Sequence, residues 1–317
     1  MEYTLTACPT FQDQLNERLT LQVACDAAKT QRQRNELGQF ATPTVLASNV
    51  LAHARSVLSE HEEVRFLDPA IGTGSFYSAL LREFPAARIN AAEGYEIDPH
   101  YGEPARELWD RHPLKLHLTD FTRATPPHHK FNLLICNPPY VRHHHVESSE
   151  KGRLQHATET ACGVRIAGLA GLYCYFVGLS HAWMAENGIA GWLIPSEFMD
   201  VNYGRPVKRY LLSQVTLLRI HRFDPNDLQF GDALVSSAVV WFRKSKPSTG
   251  HEVEFTYGGT LATPTQRRMV PSMALQAEEK WTHFPTAGVR QMIEGPRRLI
   301  FSTSNEDSRL ATIGSSS

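Results

Sequence analysis

Between residues 64 and 194, short apolar runs alternate with stretches of helical spacing, and this alternation constrains the fold more than any other feature of the chain. Strand patterns at 64–67, 91–96, 114–118, 131–136 and 189–194 are separated by helical ones at 75–84, 99–111 and 171–186. Such an order builds a mostly parallel sheet with helices on both faces. A helix at 205–213 follows. The strands 216–223 and 234–242 are then joined by a turn-rich loop (Asp224, Pro225, Asn226, Asp227, Gly231), short enough to make them antiparallel. The expected architecture is α/β, with seven strands, mostly parallel, and an antiparallel strand at the edge. Residues 1–62 read as an N-terminal helical segment whose amphipathic helix at 15–28 serves packing. Residues 63–246 read as the sheet domain. Residues 247–317 read as a C-terminal extension with one strand at 253–257, followed by Pro, Gly, Ser and Thr in quantity.

Composition excludes several classes. With 42% hydrophobic and 21% charged residues over 317 positions, the chain can bury a core. No apolar run reaches the roughly 18 to 20 residues that span a bilayer, and the N-terminus lacks the basic-then-apolar order of a leader; a cytoplasmic address is expected. Cys8, Cys25, Cys136, Cys162 and Cys174 form no Cys-x-x-Cys pair and read as reduced, mostly buried thiols. The net charge of −1 hides an uneven distribution: residues 1–140 hold 13 Lys+Arg against 17 Asp+Glu, whereas residues 201–246 hold 8 against 3. That basic stretch, with Arg205, Lys208 and Arg209 on its helix, reads either as a solvated face or as a contact to nucleic-acid phosphates.

The chemistry sits where strands end. The first strand runs into Asp68-Pro69-Ala70-Ile71-Gly72-Thr73-Gly74-Ser75, and its two glycines let backbone approach a ligand at the carboxyl edge of the sheet. Tyr77 stands where a dinucleotide fingerprint needs its third glycine, and no Gly-Lys-Ser/Thr follows to hold a triphosphate. Glu96 at the second strand's tip can accept hydrogen bonds from two ribose hydroxyls. Asp120 with Phe121, after the third strand, suits the amine and the face of an adenine ring. Loop, ribose acid and adenine acid in this order describe a site for S-adenosylmethionine, with no metal.

The fourth strand delivers Asn137-Pro138-Pro139-Tyr140 to the same edge. An aromatic amine or an amide is a poor nucleophile because its lone pair is delocalised. Hydrogen bonds from its two N–H groups to the Asn137 side-chain oxygen and the Pro138 carbonyl localise that pair. Two prolines set the carbonyl's direction beforehand, and Tyr140 offers a ring for a planar group swung out of a duplex.

On these residues the chain resembles the adenine-N6 DNA methyltransferases of restriction-modification systems, in the Eco57I-like subgroup that includes fused type IIG enzymes. Leu37-Gly38-Gln39-Phe40-Ala41-Thr42-Pro43 is similar to the family's upstream motif, which closes over the methionine end of the cofactor. The stretches 137–145, 191–198 and 230–242 resemble further family segments. The resemblance implies a class I, Rossmann-like methyltransferase fold and catalytic roles for Asn137, Pro138, Pro139 and Tyr140. It implies cofactor contacts from Phe40, Thr42, Pro43, Asp68, Ala70, Gly72, Gly74, Glu96, Asp120 and Phe121. Double-stranded DNA with a flipped adenine is the expected substrate, methyl transfer from S-adenosylmethionine the expected reaction.

Arg142, His143, His144 and His145 read as the rim of the substrate pocket, meeting phosphate or the orphaned base, or as a solvated loop. Three adjacent histidines cannot all face one ion. Asn-Pro-Pro-Tyr also occurs in protein glutamine and ribosomal-RNA methyltransferases, and a catalytically impaired DNA-binding subunit is a third reading. In the resembling family a target-recognition domain follows the segment similar to 230–242. Only 75 residues follow Phe242 here, so recognition is expected to come from a partner chain, or the chain is a remnant that turns over poorly.

Overall fold

A computed structural model describes residues 11–224 and 237–286. Helices α1 (Phe11–Ala27), α2 (Gln31–Leu37) and α3 (Thr44–Val57) precede the first strand. There follow β1 (Val64–Asp68), α4 (Ser75–Glu83), β2 (Ile89–Glu96), α5 (Pro99–Leu108), β3 (Leu114–Leu118) and β4 (Phe131–Cys136). Then come α6 (Ser148–Cys162), α7 (Leu172–Leu179), β5 (Met184–Pro195), α8 (Arg205–Ser213), β6 (Thr216–Arg222) and β7 (Ser237–Arg243). The hairpin β8 (Glu252–Gly259) and β9 (Pro264–Pro271) and the short α9 (Ser272–Ala277) end the series.

The strands form one sheet in the order β3-β2-β1-β4-β5-β7-β6-β8-β9. β1 pairs in parallel with both β2 and β4, so the chain runs outward to β3 and then returns to the other side of β1. Ligands of such sheets bind beyond the carboxyl ends of the strands at that reversal. The loop after Asp68 and the tetrapeptide from Asn137 both emerge there. Central strands buried on both faces need nearly continuous apolar runs, as in Phe131-Asn132-Leu133-Leu134-Ile135-Cys136, where every residue is buried. Their period of two splits the core. Phe66, Leu133 and Ile135 pack against Leu46, Val50, Phe76 and Leu80 of α3 and α4, whereas Leu67, Leu134 and Cys136 join Leu154, Phe176 and Tyr210 of α6 to α8 on the other face.

Three features differ from the expectation. The sheet has nine strands among the described residues rather than seven, because residues 252–271 add a hairpin beside β6. The antiparallel β7 lies inside the sheet between β5 and β6, and the antiparallel edge is β9. Helix α7 ends at Leu179, a 3-10 turn covers Ser180–Trp183, and β5 begins at Met184, since Asn187 and Gly188 form an irregularity within the strand instead of a turn before it. The turn-rich loop from Pro225 to Gly231 lies outside the described residues, as does Cys8; the other four cysteines are free and buried.

The basic stretch is largely consumed inside the fold. Arg219 is buried, pairs with Glu254 at 3.2 Å and ties β6 to β8. Arg222 donates to the Thr282 carbonyl, and Lys244 bonds the Met184 carbonyl and Glu186, both at 3.0 Å. Lys208, expected to reach DNA, is a correction: its position on α8 falls between Val207 and Tyr210 on the buried face. Its ammonium donates to the Met199 carbonyl at 2.9 Å and to the Glu279 carbonyl, above the Trp281 ring. Arg205 and Arg209 are exposed, the former paired with Glu279 at 2.6 Å.

Candidate active site

Strands β3, β2, β1 and β4 each set one group along the sheet's carboxyl edge, in the order Asp120, Glu96, Gly72, Asn137. Neighbouring strands are about 4.8 Å apart, so the row spans roughly 14 Å. A cavity of about 830 Å³ follows it, walled by Asp120, Phe121, Leu154 and Phe176, by Ala70, Gly72 and Glu96, and by Phe40, Asn137 and Pro139. Six carboxylates (Asp26, Glu96, Asp98, Asp120, Glu147, Glu150) line it against two cations, Lys29 and Arg123, so the wall favours a cationic ligand.

The glycine loop is fixed from both sides. Ile71 N donates to the Tyr95 carbonyl at 2.8 Å, and Trp109 Nε1 donates to the Thr73 carbonyl at 3.0 Å. Gly72 has φ 56°, and a Cβ built there would meet nothing within 4 Å, leaving its backbone open to the cavity. Gly74 serves a different end from the one expected. With φ 90°, it lets α5 approach, since a Cβ there would stand 2.5 Å from Trp109 Nε1, and it does not line the cavity.

Glu96 accepts from Gly72 N at 3.1 Å and from Asp98 N at 2.8 Å, one bond to each oxygen. Burial raises its pKa against these backbone hydrogen bonds and a further one from Ile97. Asp120 accepts from Thr122 N at 2.8 Å and lies 3.4 Å from Arg123 Nε. Phe121 is held in place by Tyr95, Phe176 and Trp183 with ring centroids 5.0 to 5.5 Å away.

Asp68 is 1% exposed and sits behind the loop, accepting from Ala70 N at 3.2 Å. Burial, with the Glu96 charge nearby, pushes its carboxyl up to about 8 against the hydrogen bonds from Ala70 and Cys136. A pKa raised above the unfolded value near 3.9 means that the folded state holds an extra proton between about pH 4 and 8. Stability of the ligand-free protein should therefore fall with rising pH across that window relative to Asp68→Asn. Thermal midpoints of the two proteins at pH 5 and pH 8 test this; parallel changes would show that Asp68 titrates normally.

Asn137 Nδ2 donates to the Phe40 carbonyl at 2.9 Å and to Thr42 Oγ1 at 3.2 Å, while its Oδ1 is buried with no hydrogen-bond partner. A buried acceptor left unpaired is costly and marks a place where a donor is expected to bind. Pro139 lines the cavity beside it, and Pro138 is buried. Tyr140 donates its hydroxyl to the Leu193 carbonyl at 3.1 Å, with its ring 5.6 Å from Phe40 and 6.5 Å from Tyr173. Pro43 caps α3 and, like Thr42, is not part of the lining. His143–His145 form a 3-10 turn of which His145 reaches the cavity, and Arg142 is exposed.

The N-terminal helix does more than pack. Gln22, Asp26 and Lys29, spaced four and three apart on one face of α1 and its end, line the cavity. Thr73 donates to Gln22 Oε1 at 2.6 Å and Tyr101 to Asp26 Oδ1 at 2.9 Å. Lys29 pairs with Asp98 and bonds Gln39 Oε1 at 3.0 Å, while Gln39 Nε2 donates to Asp98 at 2.7 Å. Burial pushes the Asp98 carboxyl up, but these partners outweigh it and hold it below the usual range. That polar stripe was the signal available in the sequence. Glu150 was hidden because α6 buries only Leu154, Thr158 and Cys162, too thin an apolar stripe to announce a helix.

Residues 103–229 match the family model described as Eco57I restriction-modification methylase. The chain is 30% identical over 208 residues to Type II methyltransferase M.AccI of Acinetobacter calcoaceticus, covering 65% of this chain and 37% of that protein. It is 29% identical over 255 residues to Type II methyltransferase M.XamI of Xanthomonas campestris pv. amaranthicola, covering 77% and 46%. The chain thus spans less than half the length of these curated relatives. A solved class I S-adenosylmethionine-dependent methyltransferase from Listeria monocytogenes superposes with a TM-score of 0.63 at 17% identity, over 86% of this chain and 80% of its own. The chain therefore has a class I methyltransferase fold, resembles the Eco57I restriction-modification methylase family over residues 103–229, and is similar in sequence to part of the Type II methyltransferases M.AccI and M.XamI.

Proposed function

We propose that this chain transfers a methyl group from S-adenosylmethionine to the exocyclic N6 amine of adenine in double-stranded DNA, as the methylase of a restriction-modification system. The observation that carries the reading is the buried, unpartnered Asn137 Oδ1 at the rim of an acid-lined cavity. The residues fit the cofactor. Gly72 leaves its backbone open, Glu96 suits ribose hydroxyls, and Asp120 and Phe121 suit the adenine amine and ring. The excess of carboxylates suits its positive charge.

When bound, the cofactor supplies an electrophilic methyl on a sulfonium. Asn137 Oδ1 and the Pro138 carbonyl accept the two N–H groups of the target amine, drawing its lone pair out of the ring and toward the cavity. Tyr140, its hydroxyl anchored on Leu193, supplies a stacking face for the extruded base, an interaction worth roughly 1 to 3 kcal/mol. Arg142, His143, His144 and His145 are the residues this reading assigns to phosphate or the orphaned base, and His145 among them lines the cavity. Double-stranded DNA is the partner this reading calls for, and the cytoplasm is the compartment it implies. Among the described residues no helix is long and apolar enough to cross a membrane.

The test is labelled methyl transfer with three acceptors side by side: unmethylated plasmid DNA, ribosomal RNA and a glutamine-bearing peptide. Label in DNA supports the reading. Label in RNA or peptide, with none in DNA, would replace it with one of the other amine chemistries that Asn-Pro-Pro-Tyr can serve.

A further inference from the structure

We infer that Thr42 is a positioning residue for methyl transfer, fixing which end of the Asn137 amide faces the substrate amine; this deepens the functional reading above and rests on it. An asparagine side chain can present oxygen or NH₂ to the same space by a half-turn of its amide. The Phe40 carbonyl can only accept, so it holds the NH₂ end at 2.9 Å. Thr42 Oγ1, at 3.2 Å, provides a second acceptor to that nitrogen. With its nitrogen held by two acceptors, the amide leaves Oδ1 buried and without a partner. The flipped amide would set oxygen against the Phe40 carbonyl and point N–H at the substrate's own N–H groups, two mismatches at once.

Thr42 is 6% exposed and does not line the cavity, whereas its neighbours Phe40 and Ala41 do. Its hydroxyl is turned to Asn137 Nδ2 rather than into the cavity. The register of the contact is built in. The Gly38 carbonyl accepts from Tyr140 N at 3.2 Å, and a Cβ at Gly38 would stand 2.3 Å from that same nitrogen. Only glycine, here at φ 64°, allows the two segments to lie so close. The segment that walls the cavity through Phe40 is thus the one that orients the amine acceptor.

Thr42→Val keeps the branched shape and removes the acceptor, and Thr42→Ser restores it. Thr42→Val should slow single-turnover transfer roughly three- to tenfold, the loss expected from one hydrogen bond, while S-adenosylmethionine affinity stays within about twofold. Thr42→Ser should recover most of the rate, and Thr42→Val should add nothing in an Asn137→Ala background. A second readout does not need activity. With ¹⁵N-labelled asparagine, the Asn137 side-chain amide, assigned by its loss in Asn137→Ala, should exchange slowly in wild type and Thr42→Ser. One of its protons should exchange fast in Thr42→Val. Weakened cofactor binding with unaltered amide exchange would overturn the inference, as would unaltered rate and exchange together. A wild-type amide that behaves as described in a chain leaving adenine unmethylated would remove the functional reading and leave this assignment standing.

Discussion

Asn137→Ala is expected to slow methyl transfer about a hundredfold or more, the usual loss when a preorganised polar group at the reacting centre is removed, with S-adenosylmethionine affinity kept within about threefold. The separation follows from the geometry. Asn137 Oδ1 is the unpartnered acceptor, whereas the groups suited to ribose and adenine stand on other strands. Rapid-quench transfer with labelled cofactor gives the rate, and calorimetry gives the affinity. Near-normal turnover in the variant would end the amine-binding role, and a loss confined to cofactor affinity would move Asn137 to the cofactor's part of the cavity.

Glu96→Ala should act in the opposite sense, weakening S-adenosylmethionine binding about five- to 150-fold, or 1 to 3 kcal/mol. Removing the carboxylate takes away the proposed acceptor for ribose and also strands Gly72 N and Asp98 N, which now donate to it. Glu96→Gln separates the two causes. Its amide oxygen can still accept one of these N–H groups, but its NH₂ faces the other as donor against donor. The glutamine variant should bind more tightly than the alanine one and more weakly than wild type. An unchanged affinity for Glu96→Ala, measured by calorimetry, would take Glu96 out of the cofactor site.

Much of this site was legible because strand ends are punctuated by residues with few other uses. Gly72 at positive φ, the acid at the tip of β2 and Asn-Pro-Pro-Tyr after β4 are local signals, each read from a few adjacent positions. Groups brought in from other elements were less visible. Gln22 and Asp26 belong to a helix whose apolar spacing suggested packing, Lys29 follows its end, and only the tertiary fold lays this polar face over the cavity. Lys208 was misread because charge on a surface helix ordinarily points to solvent, while here the carbonyls of Met199 and Glu279 draw it inward. The position of β7 inside the sheet was also beyond reach, since two antiparallel strands in sequence do not reveal which of them sits next to β5.

Identification of the methylated atom tests the central claim most directly. DNA incubated with S-adenosylmethionine and this chain would be digested to nucleosides and separated against standards. N6-methyldeoxyadenosine should appear with the wild-type chain and be lost with Asn137→Ala. Methylation at a ring carbon such as cytosine C5, which needs no amine acceptor, or N6-methyldeoxyadenosine formed equally well without Asn137, would contradict it.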